Sequence, residues 1–245
     1  KHLAASLLAI TFALAFDDKS TSFQLSFWLT NFLRILLIVI FSVLAKEIVR
    51  KLVASRYDCV TEYRIWEMER IGIGRHTRLP RKFLGFTIHT LPIGVILPIL
   101  IAFISLGKIP FIASGVFIVS TQLIHRAGKK YLHLTEYEEA KIALSAVLTS
   151  LGIAFLFKFL TPFNPALGEV VTINAWLAFF HMLPLADLDG AKIFFAGKTF
   201  YVFNMVFVIA SALMLSLFGT VATVILAIIF AIILAANYHY FLVYK

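Results

Sequence analysis

The chain is dominated by apolar stretches that approach about 20 residues, the length a helix needs to cross the hydrocarbon layer of a bilayer. Several runs, among them Asn31 to Ala54, Phe83 to Leu106, Tyr137 to Leu160 and Val221 to Leu242, are of this order, and a soluble core helix rarely sustains so much apolar sequence. Only 14% of the 245 residues are charged and 61% are hydrophobic, against roughly 25% charged in a soluble domain. Lipid is therefore the expected solvent. The chain reads as one integral membrane domain over 1–245, an all-α polytopic protein of about six to seven transmembrane helices with a small β element at the membrane edge.

The formal charge of +9 raises nucleic acid as a partner, but a nucleic-acid surface needs basic residues on a water-exposed face among polar or aromatic contacts. Here Lys and Arg fall in loops between apolar spans, which excludes that partner and fits the cytoplasmic-loop bias of membrane proteins. The segments Arg56 to Lys82, Arg126 to Lys141 and Asp189 to Lys198 hold most of the loop Lys and Arg, whereas Asp17 to Thr30 holds only Lys19 and Thr161 to Glu169 none. Placing the basic loops and both termini in the cytoplasm, with the chain in the cell membrane, is self-consistent. It requires Phe83 to Ile124 to go out and return, and the break at Gly107 to Pro110 permits that. With Cys59 as the one cysteine, neither an intrachain disulfide nor a Cys-based zinc cage is available.

Along the chain, Leu3 to Phe16 reads as a first membrane helix, truncated at its N-terminal end, rather than as a cleavable signal peptide, because no small-residue cleavage site follows it. Asn31 to Ala54 reads as a second. Val60 to Trp66 alternates with period two and predicts a surface strand. Phe83 to Leu106, broken by Pro92 and Pro98, and Phe111 to Ile124 are the next apolar stretches, kinked or re-entrant. Thr135 followed by Glu136 and Glu138 marks the N-cap of a helix from Tyr137 to Leu160. Val170 to Leu183 ends at Pro184, and Gly219 separates the last two spans. Trp28, Tyr63, Trp66 and Tyr131 fit an interfacial aromatic belt.

Ionisable residues inside membrane helices are functional candidates, because each must face a cavity or a partner. Two clusters qualify. One is Lys46, Glu47, Arg50 and Lys51 in the second helix, with 46 and 50 on one face at i, i+4. The other is Asp187 and Asp189 beside the break at Pro184. A plainer reading is that Lys46, Arg50 and Lys51 mark the end of the helix and snorkel to headgroups, with Glu47 paired to Lys51 at i, i+4. A proton or ion path is a third reading, but it needs a hydrated route to both sides, and the sequence shows no paired broken helices in repeated halves.

The run Leu44-Ala45-Lys46-Glu47-Ile48-Val49-Arg50-Lys51-Leu52-Val53-Ala54, followed by Arg56-Tyr57, resembles the H-E-x-x-H-K-x-V-A…R-Y region of the archaeal-type site-2 proteases, a family of intramembrane zinc proteases. Asn174-Ala175-Trp176 through Phe180-His181-Met182-Leu183-Pro184, then Leu188-Asp189-Gly190, resembles the family's N-A-W…F-N-L-L-P…L-D-G segment. Weaker matches lie in order between them: Ala113 to Ile118 resembles an A-P-G-A-V-like strand, and Lys141 to Ala146 a K-I-A-L-A-G-P-like helix start. The resemblance implies a site-2 protease-like core. It places Lys46 and Arg50 where the family has zinc-binding histidines, Glu47 where it has the general base, and Asp189 as its third ligand.

The departures from the pattern decide the expected chemistry. Two neutral imidazoles at i, i+4 lend lone pairs to zinc while the Glu works on the bound water. Protonated Lys and Arg have no lone pair to lend, and arginine is in practice never deprotonated. No metal, no cofactor and no catalytic residue are therefore expected, and Lys46, Glu47, Arg50 and Asp189 form a vestigial site. Zn²⁺ with two neutral His, one Asp⁻ and one Glu⁻ sums to zero charge; so do Lys46⁺, Arg50⁺, Glu47⁻ and Asp189⁻ without it. The expected structure is a buried ion-pair network clamping the second helix to the Asp189 loop, and the expected function is that of a pseudoprotease binding a membrane-protein partner as a scaffold or accessory subunit of a larger membrane complex. The enzyme alternative is an active intramembrane metalloprotease with a displaced metal site of Glu47, His181 and Asp189. His89, His125, His133 and His239 are scattered and read as structural or interfacial.

Overall fold

The structure, a computed structural model, describes residues 2–17, 24–68, 81–83, 86–88, 90–121, 134–217 and 219–240. His89, His125, His133, Tyr131 and the basic residues Arg126, Lys129 and Lys130 lie outside them. The described chain is mostly helical: α1 (His2–Ala15), α2 (Leu25–Ser55), α3 (Ile93–Ile104), α4 (Glu136–Leu160), α5 (Gly168–His181), α6 (Asp189–Ala196), α7 (Lys198–Leu217) and α8 (Thr220–Tyr238). Four short strands accompany them: β1 (Cys59–Ile65), β2 (Arg81–Phe83), β3 (Phe86–Ile88) and β4 (Gly115–Thr121). β1 pairs with β4, and β2 pairs antiparallel with β3.

Among the described residues, α4, α7 and α8 are the three helices long and apolar enough to cross a membrane. The three are compatible with an integral membrane protein. At 1.5 Å per residue the 25 residues of α4 span about 37 Å, whereas the 12 residues of α3 span about 18 Å, well short of a hydrocarbon layer of about 30 Å. The stretch from Phe83 to Leu106 is thus not one long kinked span: β2 lies at its start, β3 follows, and among its described residues only the second half is helical. Phe111 to Ile124 contains no helix among its described residues; Gly115 to Thr121 is strand β4. Short apolar runs of this kind carry no periodicity that separates strand from helix.

Other boundaries follow local chemistry. The Thr135 hydroxyl accepts from the Glu138 amide at 3.3 Å while the Glu138 carboxylate accepts from the Thr135 amide at 2.9 Å, so α4 opens on a capping box. α5 ends at His181, just before Pro184. β1 alternates buried Cys59 and Thr61 with exposed Val60 and Glu62, the period a half-buried strand requires.

The folded chain groups into two compact units, 1–36 with 63–116 and 37–62 with 117–245. In the first, the rings of Phe12, Phe16 and Phe103 meet edge-to-face or tilted with centroids 5.0 to 5.8 Å apart, joining α1 to α3. Trp66 is buried there rather than lying in an interfacial belt, its amide donating to the Ser114 carbonyl at 3.0 Å. In the second unit, the core gathers Cys59, Phe117, Ile142, Leu151, Met182, Ile193 and Val208. α8 buries Thr223, Ala227, Ala231 and Ala235, an i, i+4 stripe of small residues of the kind that lets membrane helices approach closely.

Candidate functional site

Within the second unit, α2 presents Ser42, Lys46 and Arg50 at successive i, i+4 positions, which places all three on one face at steps of about 6 Å. All three are buried, Lys46 at 2% and Arg50 at 1% exposure. Snorkelling is thereby excluded for these two residues; Lys51, one residue on, is the one that points outward. Glu47 pairs with Arg50 at i, i+3 instead of with Lys51: the guanidinium Nη1 donates to its Oε1 at 2.8 Å.

Each polar residue of the stripe meets a partner on α5 or α6. The Asn174 amide donates to the Ser42 hydroxyl at 2.9 Å and to the Val170 carbonyl at 2.9 Å. Lys46 Nζ lies 2.6 Å from His181 Nε2, and His181 Nδ1 lies 2.9 Å from the Leu177 carbonyl. A carbonyl oxygen can only accept, so Nδ1 carries the ring hydrogen and the lone pair sits on Nε2, where the lysine ammonium donates to it. Arg50 Nη2 donates to Asp189 Oδ2 at 2.5 Å, and Asp189 is fully buried.

Local sequence explains the placement of the partners. His181 closes α5 because Pro184 prevents the helix from continuing far beyond it. Asp189 opens α6, where a carboxylate complements the partial positive charge of a helix N-terminus. Gly190 lets the chain double back: a Cβ there would collide with the Met182 backbone carbonyl. Asp187, in the same loop, is exposed and takes no part.

The structure adds residues that the motifs did not single out. Lys192, three positions after Asp189 on α6, donates to the Phe117 carbonyl at 2.7 Å and to Glu139 at 2.8 Å. Its ammonium lies 3.6 Å from the Phe117 ring centroid, and the Arg50 guanidinium 4.5 Å from it, so one buried ring meets two cations. The i, i+3 spacing from Asp189 is the signal for Lys192. Nothing local points to Phe117, which β4 supplies. Ser42 is also new, its signal being the position four residues before Lys46 on the same face of α2.

The expected clamp is therefore present as geometry. Arg50 holds Glu47 on its own helix and Asp189 across on α6, while Lys46 holds His181 on α5. Arg50 Nε and Asp189 Oδ1 are buried without a hydrogen-bond partner among the described residues.

These residues do not fit zinc. The two positions at i, i+4 offer no lone pair, each carboxylate gives one oxygen to Arg50, and the one lone pair of His181 is taken by Lys46. Glu47, His181 and Asp189 do lie around one network, yet no three His, Cys, Asp or Glu side chains among the described residues are arranged to hold a metal ion. No family model, curated protein or solved structure matches this chain.

Proposed function

We propose that this chain is a catalytically inactive relative of the site-2 proteases, a pseudoprotease whose membrane core binds a membrane-protein partner as a scaffold or accessory subunit. In this reading α2 is a further span, the core has about six to seven spans, and the basic loops and both termini face the cytoplasm of a cell membrane. The observation that carries it is the network of Lys46, Arg50, Glu47, Asp189 and His181. Two cations stand where the resembled motif has imidazoles, and they link α2 to α5 and α6 with side-chain charge alone. A metalloprotease needs Glu47 free to take a proton from metal-bound water; here its carboxylate is held by a guanidinium in the same turn. With the hydrolytic parts engaged in structure, binding is the role left to the fold.

The test has two arms on the purified full chain. Elemental analysis is expected to find less than stoichiometric zinc, and mild-detergent purification is expected to retain a membrane protein in fixed ratio. Stoichiometric zinc that disappears on substitution of Asp189 or His181, together with cleavage of a membrane peptide, would establish the displaced-site enzyme instead. Absence of any fixed-ratio partner would overturn the scaffold role.

A further inference from the structure

Away from this network, the second unit contains a groove of about 660 Å³ formed by the C-terminal part of α4, by α5 and by α7. That volume falls in the roughly 300–1,000 Å³ range of small-molecule sites. Its walls are apolar, with Trp176, Phe179, Ile209 and Leu215 among them. Its polar end is at the α4–α5 turn, where Lys158 and Thr161 lie close to the start of α5 at Gly168.

Lys158 stands in the last turn of α4, and its side chain has no ion-pair or hydrogen-bond partner among the described residues. The cation thus borders an apolar groove at the end of a helix long enough to cross a membrane, and the ends of such a helix, when it spans, lie near the headgroups. Gly168 and Phe179, both lining the groove, are eleven residues apart on α5, or about 16 Å, which matches one leaflet of a hydrocarbon layer about 30 Å thick.

We propose that this groove holds one anionic phospholipid, an acyl chain lying along α5 against Trp176 and Phe179 and the phosphate paired with the Lys158 ammonium. The site is separate from the proposed pseudoprotease network and does not depend on that reading.

Native mass spectrometry of the full-length protein, titrated in detergent with phosphatidylglycerol and phosphatidylcholine of the same acyl chains, tests it. One phosphatidylglycerol per chain is expected, preferred roughly fivefold over phosphatidylcholine, the effect of about one lysine at an anionic lipid surface. Lys158→Gln should remove the preference, Lys158→Arg should keep it, and Ala212→Phe, which fills the groove wall, should reduce binding of both lipids. Equal binding of the two lipids by the parent, a preference that survives Lys158→Gln, or unchanged binding in Ala212→Phe would each overturn the proposal; so would displacement of the lipid by an apolar membrane peptide. Circular dichroism reports whether each variant folds. If one does not, the comparison of lipids on the parent chain still decides.

Discussion

Arg50→Met removes the one cation that two buried carboxylates share. In the parent, Arg50 donates to Glu47 at 2.8 Å and to Asp189 at 2.5 Å, and its side chain is 1% exposed. Taking one partner from a buried pair leaves a charge without compensation and costs about 3–5 kcal/mol. Here two carboxylates are stranded, so that figure is a lower bound. For a chain of this length it corresponds to a fall in Tm of about 6–20 °C. The same principle gives a control in the opposite direction. Glu47→Gln and Asp189→Asn combined with Arg50→Met remove the desolvation cost along with the attraction, so the triple variant should regain at least half of the loss. Lys51→Gln, on the exposed side of the same helix, should change stability by less than about 0.5 kcal/mol. The assay is thermal unfolding in one detergent, followed by circular dichroism. An Arg50→Met variant within about 2 °C of the parent, or a triple variant no more stable than the single, would refute the reasoning about the clamp.

Three further outcomes follow from the geometry. His181→Phe removes the acceptor of the Lys46 ammonium and should lower Tm, whereas His181→Asn, which keeps an acceptor, should lose less; equal losses would contradict the assigned tautomer and its hydrogen bond. Gly190→Ala should reduce folded yield, because the new Cβ meets the Met182 carbonyl; yield equal to the parent would show that the α5–α6 break can shift. Burial pushes the Cys59 thiol above its ordinary value, and the charges of Asp58 and Glu138 push the same way. The fold therefore favours the protonated thiol, whose stabilising contribution is full below the ordinary thiol range and is lost as pH rises through the folded value. Alkylation of native protein should lag that of denatured protein at every pH up to that range; equal rates would show an accessible Cys59.

Several elements were legible because the signal and the structure are local. Thr135 and Glu138 close a reciprocal cap within one turn. The alternation from Cys59 to Ile65 becomes a half-buried strand, and Pro184 and Gly219 flank real helix ends. Where the local signal is ambiguous, the sequence reading fails. Gly115 to Thr121 is as apolar as a short buried helix, and only its pairing with β1 makes it a strand. α6 was not anticipated either, since a helix of eight residues is too short to carry a clear periodicity.

The candidate site divides in the same way. The i, i+4 spacing put Lys46 and Arg50 on one face of α2 from sequence alone, and their cationic side chains excluded the chemistry of the histidines they resemble. Whether those cations reach headgroups or turn inward was open, as was the role of His181. Tertiary structure decided both, because the partners lie far away along the chain: His181 is 135 residues from Lys46, and Asp189 is 139 from Arg50. Helix periodicity belongs to neighbouring residues and is written into the sequence. The burial of a charge depends on which distant helix packs over it and what that helix offers, and this exists only in the folded chain.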